Sequence, residues 1–367
     1  MTTPRWRGVS SSLSPLRLPW WVTIPLLFVV AVVALYAWMP GDNRDIVPQA
    51  LIEGLVVGSI YVLGASGLTL TYGIKKFANF AHGDMMTVGA YVAYAATVLG
   101  GASLLLGFVY AMFTVALMGI LLELGIFHWL EKRSEIAALI ASVGVSLILQ
   151  NIVQLIFLSN ILNMSFHIPQ DVPLGIAGMS ISWFKAAIVG IAIALMVFLH
   201  ILLKYTTLGK AMRACADDLD LARASGINTF NVVLWTWAIS GGLAGIAGVL
   251  LGLRIYVSPY VGFNVLLFIF AAVIVGGIGS PYGAMIGGFL IGVVQELSGT
   301  FFGQLTNLGF LENGASYDAA GGFLVLILVL LLKPEGIMGR RRPSEGRRRH
   351  RWKIARRVPK EAVEPGD

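Results

Sequence analysis

The stretch TTLGKAMRACADDLDLARASGIN, residues 206–228, is a polar island between two apolar runs, 183–203 and 232–253. Each run is long enough to cross a bilayer, since a helical span needs roughly 20 apolar residues. The island keeps helical periodicity. Leu208, Met212, Cys215, Leu219 and Ala222 fall on one stripe, and Lys210, Arg213, Asp217, Asp220 and Ala224 on another. Gly226 stands where a helix C-cap is expected. A short amphipathic helix between two spans has little use in hydrocarbon, but it offers a compact handle to a soluble partner.

The whole chain fits that frame. Of its 367 residues 57% are apolar and only 12% charged, and the mean hydropathy is +0.81. Soluble domains carry about a quarter charged residues, so the composition means a membrane protein. Ten candidate spans emerge, at about 20–39, 49–72, 82–99, 103–126, 137–158, 183–203, 231–253, 263–279, 283–302 and 318–332. The expected fold is an all-α polytopic bundle of about ten transmembrane helices with interrupted or re-entrant segments. Residues 1–48 hold an extra first span, expected to remain uncleaved, 49–339 the transmembrane core, and 340–367 a basic tail without apolar periodicity.

Basic residues set an orientation. Twelve of the 26 Lys and Arg lie between Lys333 and Lys360, and Arg5, Arg7 and Arg17 precede the first span. The positive-inside rule puts both termini in the cytoplasm. Counting alternately, Lys75-Lys76, Lys132-Arg133 and the 204–229 island fall inside, and the sparsely charged 159–182 loop falls outside; Arg44 and Arg254 are exceptions. The tail's simplest role is an anchor attracted to anionic lipid, with no nucleic-acid partner expected. The single cysteine, Cys215, permits no intrachain disulfide and no Cys-based metal cluster, and is expected to pack.

Two places break the apolar pattern between small residues, YGIKKFANFAHGD at Tyr72–Asp84 and GGIGSPYGAMIGG at Gly276–Gly288. Broken segments in roughly corresponding halves are a pointer to a central transport site. Asn79, His82, Gly83 and Asp84 cluster at one helix start, where Asp84 is placed to cap the helix or to pair with a protonated His82. Gln150-Asn151 and Glu296 are further polar residues inside spans, and such residues are costly unless they meet a partner or water. Two roles stay open for this set: a polar knot that fixes a broken helix, or a lining of the substrate path. Glu53 and Glu123 are expected near the interfaces, where water solvates them.

Several of these motifs also carry a resemblance. Gly67–Gly73 (GLTLTYG), Asn79–Asp84 (NFAHGD), Gly89-Ala90-Tyr91, Ala138–Asn151 (ALIASVGVSLILQN), Gly276–Gly288 and Lys333–Ile337 (KPEGI) together resemble the LivH-type permeases of branched-chain amino-acid ABC importers. Arg213–Asp218 (RACADD) followed by Gly226-Ile227-Asn228 resembles the coupling loop of such permeases. The resemblance runs from about Leu51 to Gly339. It departs from the family at Asp84, where Glu is usual. It implies that Gly209, Lys210, Arg213, Ala214, Ala216, Asp217, Asp218 and Gly226 contact an ATPase subunit, and that ATP is used there rather than on this chain. It further implies a second, different permease subunit, an extracytoplasmic solute-binding protein, and the cytoplasmic (inner) membrane as location. No GxxxxGK[ST], HExxH or GxSxG motif is present, in keeping with no enzymatic activity and no cofactor on this chain. A urea or short-amide permease and an ion-coupled secondary carrier are the alternative functions.

Overall fold

The computed structural model describes residues 30, 32–40, 45–130, 134–164, 171–173 and 179–339. The basic tail 340–367, Lys132-Arg133, Arg44 and most of the first candidate span lie outside the described residues. Among the described residues from 45 on, the main α-helices are α1 Ile46–Lys75, α2 Ala81–Tyr94, α3 Leu104–Leu122, α4 Glu135–Phe157, α5 Trp183–Tyr205, α6 Thr207–Asp217, α7 Leu219–Ala224, α8 Thr229–Arg254, α9 Val261–Gly276, α10 Pro281–Asn307 and α11 Asp318–Leu332. α2 and α3 each widen into a π turn, at Ala95–Leu99 and Glu123–Phe127, and α3 then resumes as His128–Leu130. Among the described residues, six helices are long and apolar enough to cross a membrane, and α9 and α11 are shorter apolar helices.

Helix starts follow the sequence closely. Ser134, Ser182, Thr206, Asn228 and Ser280 each accept a hydrogen bond from a backbone N–H two or three residues inside α4, α5, α6, α8 and α10, filling donors a helix start leaves open. Pro281 sits in the first turn of α10, where its missing N–H costs nothing.

α8 runs through the centre with its faces buried. Its glycines allow backbone contact on two sides. A Cβ on Gly241 or Gly245 would strike the α3 carbonyls of Val115 or Ala111, and one on Gly248 would strike the Met86 carbonyl of α2. Without a hydrophobic force between helices in lipid, small residues at the crossing let dispersion and polar contacts hold the pair. Ser240 Oγ donates to Gly67 O at 2.7 Å, joining α8 to α1. α1 in turn packs on α10 where Gly58 meets Gly292.

The two interrupted segments are found, and both lie at one end of the bundle. The turn between α1 and α2 and the turn between α9 and α10 approach each other there, with an added Gly279 Cβ reaching to 4.0 Å from the Gly73 Cα. The segment after α11 closes the same end. Ile337 N and Met338 N donate to Val275 O and Gly276 O at 2.8 Å each, so the end of the KPEGI stretch and the residue after it satisfy carbonyls that α9 leaves open.

If the α8 crossings carry the fold, Gly248→Leu will lower thermal stability in detergent by about 1–3 kcal/mol through overpacking. Gly190, whose added Cβ meets nothing within 4 Å, will accept the same change within about 0.5 kcal/mol.

Candidate functional site

The polar island forms two helices rather than the single one its periodicity predicts. Asp218 adopts an extended backbone (φ −156°, ψ 113°) between α6 and α7. Its Oδ1 accepts from Asp220 N at 3.1 Å and Leu221 N at 3.0 Å. Asp competes for backbone donors in this way, which ends one helix and starts the next. α7 then finishes at Gly226 (φ +84°). Gly226 N donates to Arg223 O and Ile227 N to Ala222 O, at 3.1 Å each, a paired C-terminal closure that needs glycine at the left-handed position.

The two stripes keep their faces across the break. Met212, Cys215 and Ala222 are buried, while Leu208 and Leu219 are half-buried; Lys210, Arg213, Asp217, Asp220 and Ala224 are exposed. Asp218 and Gly226 are exposed too, Ala214 and Ala216 half-buried, and Gly209 buried where a Cβ would enter the Leu203 backbone. Burial holds the Cys215 thiol above its usual pKa, slightly offset by Arg223. Leu221, absent from the sequence-derived set, is an exposed leucine on this otherwise polar face.

The island sits against the end of α1 and faces the α9–α10 turn across a small cavity. Lys76 Nζ donates to Ala216 O of α6 at 2.7 Å. A cavity of about 90 Å³ is lined by Gly73 and Thr69 of α1, Arg213 and Ala216 of α6, and Gly279 and Tyr282 at the α9–α10 turn.

Asn79, His82, Gly83, Asp84 and Gln150 are all in the interior, but not in the pairing that the sequence allows. Asp84 neither caps α2 nor meets His82. Its Oδ2 accepts from Ser146 Oγ, and its Oδ1 accepts from Gln150 Nε2 at 3.0 Å. His82 Nε2 lies 2.9 Å from Gly64 O. The N-cap position, Phe80, makes no side-chain cap, and Asn79 just before it accepts from Ala81 N through Oδ1 at 3.1 Å. Gly83 lets α9 approach, because a Cβ there would lie 2.7 Å from Gly262 O. Ser142 Oγ accepts from Phe80 N at 3.1 Å. Ser142, Ser146 and Gln150 thus form one stripe of α4 that holds the α1–α2 turn and α2. Their four-residue spacing was the available sequence signal.

Asn151 and Glu296 are elsewhere. Asn151 is exposed, and its side chain donates to Leu147 O at 2.7 Å. Glu296 Oε1 accepts from Arg254 Nη2 at 2.9 Å, at the end of α8 far from the island. Near that end Lys185 Nζ lies 2.5 Å from Glu53 Oε1 and 2.6 Å from Asp171 Oδ2. Glu53 therefore has a fixed partner. Glu123 departs further from the solvated position expected of it: its side chain is 1% exposed, and Oε1 lies 2.6 Å from Lys75 Nζ.

A family model described as "Branched-chain amino acid transport system / permease component" matches residues 50–332. The chain belongs to this family. It is a multi-pass membrane permease, 35% identical over 308 residues to the "High-affinity branched-chain amino acid transport system permease protein LivH" of Salmonella typhimurium, covering 80% of this chain and 95% of that one. It is 34% identical over 304 residues to BraD of Pseudomonas aeruginosa, named in the same terms, with the same two coverages. A shorter similarity, 30% over 139 residues, links 37% of this permease to 30% of LivM of Escherichia coli. The first span and the tail lie outside the family match.

Two outcomes check the site. Ser146→Ala will lower thermal stability by about 1–3 kcal/mol, because Asp84 loses a buried donor, whereas Asn151→Ala will stay within about 0.5 kcal/mol. Cys215 will react slowly with a maleimide in the folded permease and rapidly after denaturation.

Proposed function

We propose that this permease is one membrane subunit of an ABC importer that carries leucine, isoleucine and valine across the cytoplasmic membrane. The observation that carries the reading is the seat of α6–α7: an amphipathic pair whose charged face is exposed and whose apolar face packs against α5, α8 and the end of α1. Relatives named for branched-chain amino-acid transport supply the substrate class. The similarity to LivM, named as a separate permease of such a system, supports a second, different permease subunit beside this one.

In this reading ATP is bound and hydrolysed by partner subunits, and this chain holds no cofactor. The exposed Lys210, Arg213, Asp217, Asp218 and Leu221 receive the ATPase, while Gly209, Ala214, Ala216 and Gly226 shape the surface that presents them. Closure of the ATPase pair moves α6–α7 as a unit and tilts the spans, which alternates access to the path. A solute-binding protein delivers the amino acid on the other face. The positive-inside rule places the island, Lys75-Lys76 and both termini in the cytoplasm. The Arg254–Glu296 and Lys185–Glu53–Asp171 groups then face outward.

The Asp84–Ser146–Gln150 knot fixes the α1–α2 turn rather than touching solute, since all its polar atoms named above are spent on one another. The reading is tested by charge reversal. Arg213→Glu or Asp217→Lys will reduce leucine uptake about tenfold, a coupling loss of the usual size, with yield and melting temperature unchanged. Unchanged uptake together with unchanged ATPase association contradicts it.

A further inference from the structure

Lys76 joins the island to α1 through a hydrogen bond, and its geometry is unusual. It has φ +61°, one of two non-glycine residues with positive φ among the described residues. A side chain there is strained, and such strain persists where the surroundings hold it. The left-handed turn brings the ammonium back onto two carbonyls at once. Nζ donates to Gly73 O, in the last turn of α1, and to Ala216 O, in the last turn of α6. Helix C-termini carry unpaired carbonyls and a partial negative charge. One cation thus clamps the ends of a spanning helix and of the docking helix together.

The preceding residue reaches the other way. Lys75 Nζ meets Glu123 Oε1 at 2.6 Å, with the two side chains 4% and 1% exposed. Glu123 opens the π turn of α3, a distortion that recurs at functional positions. At the other end of that turn Phe127 stacks on Trp237 of α8, with ring centroids 5.0 Å apart. α8 follows α7 in the chain. The island is therefore held at its middle and at its C-terminal end by one closed circuit: Ala216 to Lys76, Lys75 to Glu123, Phe127 to Trp237, and α8 back to α7.

We propose that Lys75, Lys76 and Glu123 are positioning residues for transport coupling: they form the joint through which displacement of α6 is delivered to α1 and α3. The proposal rests on the reading of α6–α7 as the ATPase-docking element. Lys76 carries the displacement to α1, and the buried Lys75–Glu123 pair passes it to α3 without slack, because neither charge can leave its partner for water.

The test uses the assembled transporter in proteoliposomes, with its ATPase and solute-binding protein, and reads leucine uptake per ATP hydrolysed. Lys76→Met is expected to keep the ATPase bound and hydrolysing while uptake per ATP falls about tenfold. Lys76→Arg, which keeps charge and reach, is expected to stay near the wild-type ratio. Glu123→Lys alone is expected to lose coupling, and the exchange Lys75→Glu with Glu123→Lys to recover most of it. A Lys76→Met ratio equal to that of Lys76→Arg overturns the proposal, as does an exchange no better than Glu123→Lys alone. Loss of the ATPase from Lys76→Met also overturns it, since the residue would then serve docking only. Failure of the wild-type permease to bind an ATPase at all is a different result, and it defeats the functional reading instead.

Discussion

Backbone carbonyls at a helix end must find donors, and within or beside hydrocarbon water is not a free substitute. That constraint organises the end of the bundle where α1, α6 and α9 all terminate. One ammonium, on Lys76, serves α1 and α6 together. The backbone of the KPEGI segment serves α9. The left-handed Gly226 serves α7. Gly226 acts within its own turn, but Lys76 ties the end of α1 to α6, and the segment after α11 is tied to the end of α9. The island, two helix turns and the segment after α11 form one tied plate at that end.

The rest of the bundle is arranged to transmit displacement of such a plate. α8 follows the island directly and makes backbone-close crossings with α2 and α3 at its glycines. Interiors packed this tightly shift as bodies rather than deforming. The Lys75–Glu123 pair is not explained by stability alone. A buried ion pair is often no more stable than a hydrophobic replacement, although breaking it by removing one partner costs about 3–5 kcal/mol. What it supplies is a fixed register between α1 and α3. The far end is tied differently, by Arg254–Glu296 and by Lys185 shared between Glu53 and Asp171. These groups are half-buried and in reach of water, where ion pairs are weaker and easier to exchange.

Much of this was legible in the sequence, because it depends on local rules. Hydropathy located the spans, and the stripe from Leu208 to Ala222 gave the buried face of the island. Gly226 was readable as a C-cap since only its own backbone is involved. What was not legible depends on contacts across the chain. Asp218 splits the island because its carboxylate takes two local donors, an outcome that periodicity cannot distinguish from a continuous helix. His82 and Asp84 are neighbours in sequence, but α4 offers Asp84 better partners, so the pair does not form. Lys75 and Glu123 meet over a long sequence separation, and Glu123 at the end of an apolar run read as a solvated boundary residue. The polar residues of spans were correctly singled out as needing partners, while the identity of each partner came only from the packing.

The central claim is that energy enters through a docked ATPase and not through this chain. The most direct measurement is leucine uptake into liposomes holding the purified permease, with and without its ATPase partners and solute-binding protein, in the presence of ionophores that abolish ion gradients. The account predicts uptake only when the partners and ATP are present, undiminished by the ionophores. Uptake by the permease alone, driven by a proton or sodium gradient and abolished by the ionophores, would contradict it.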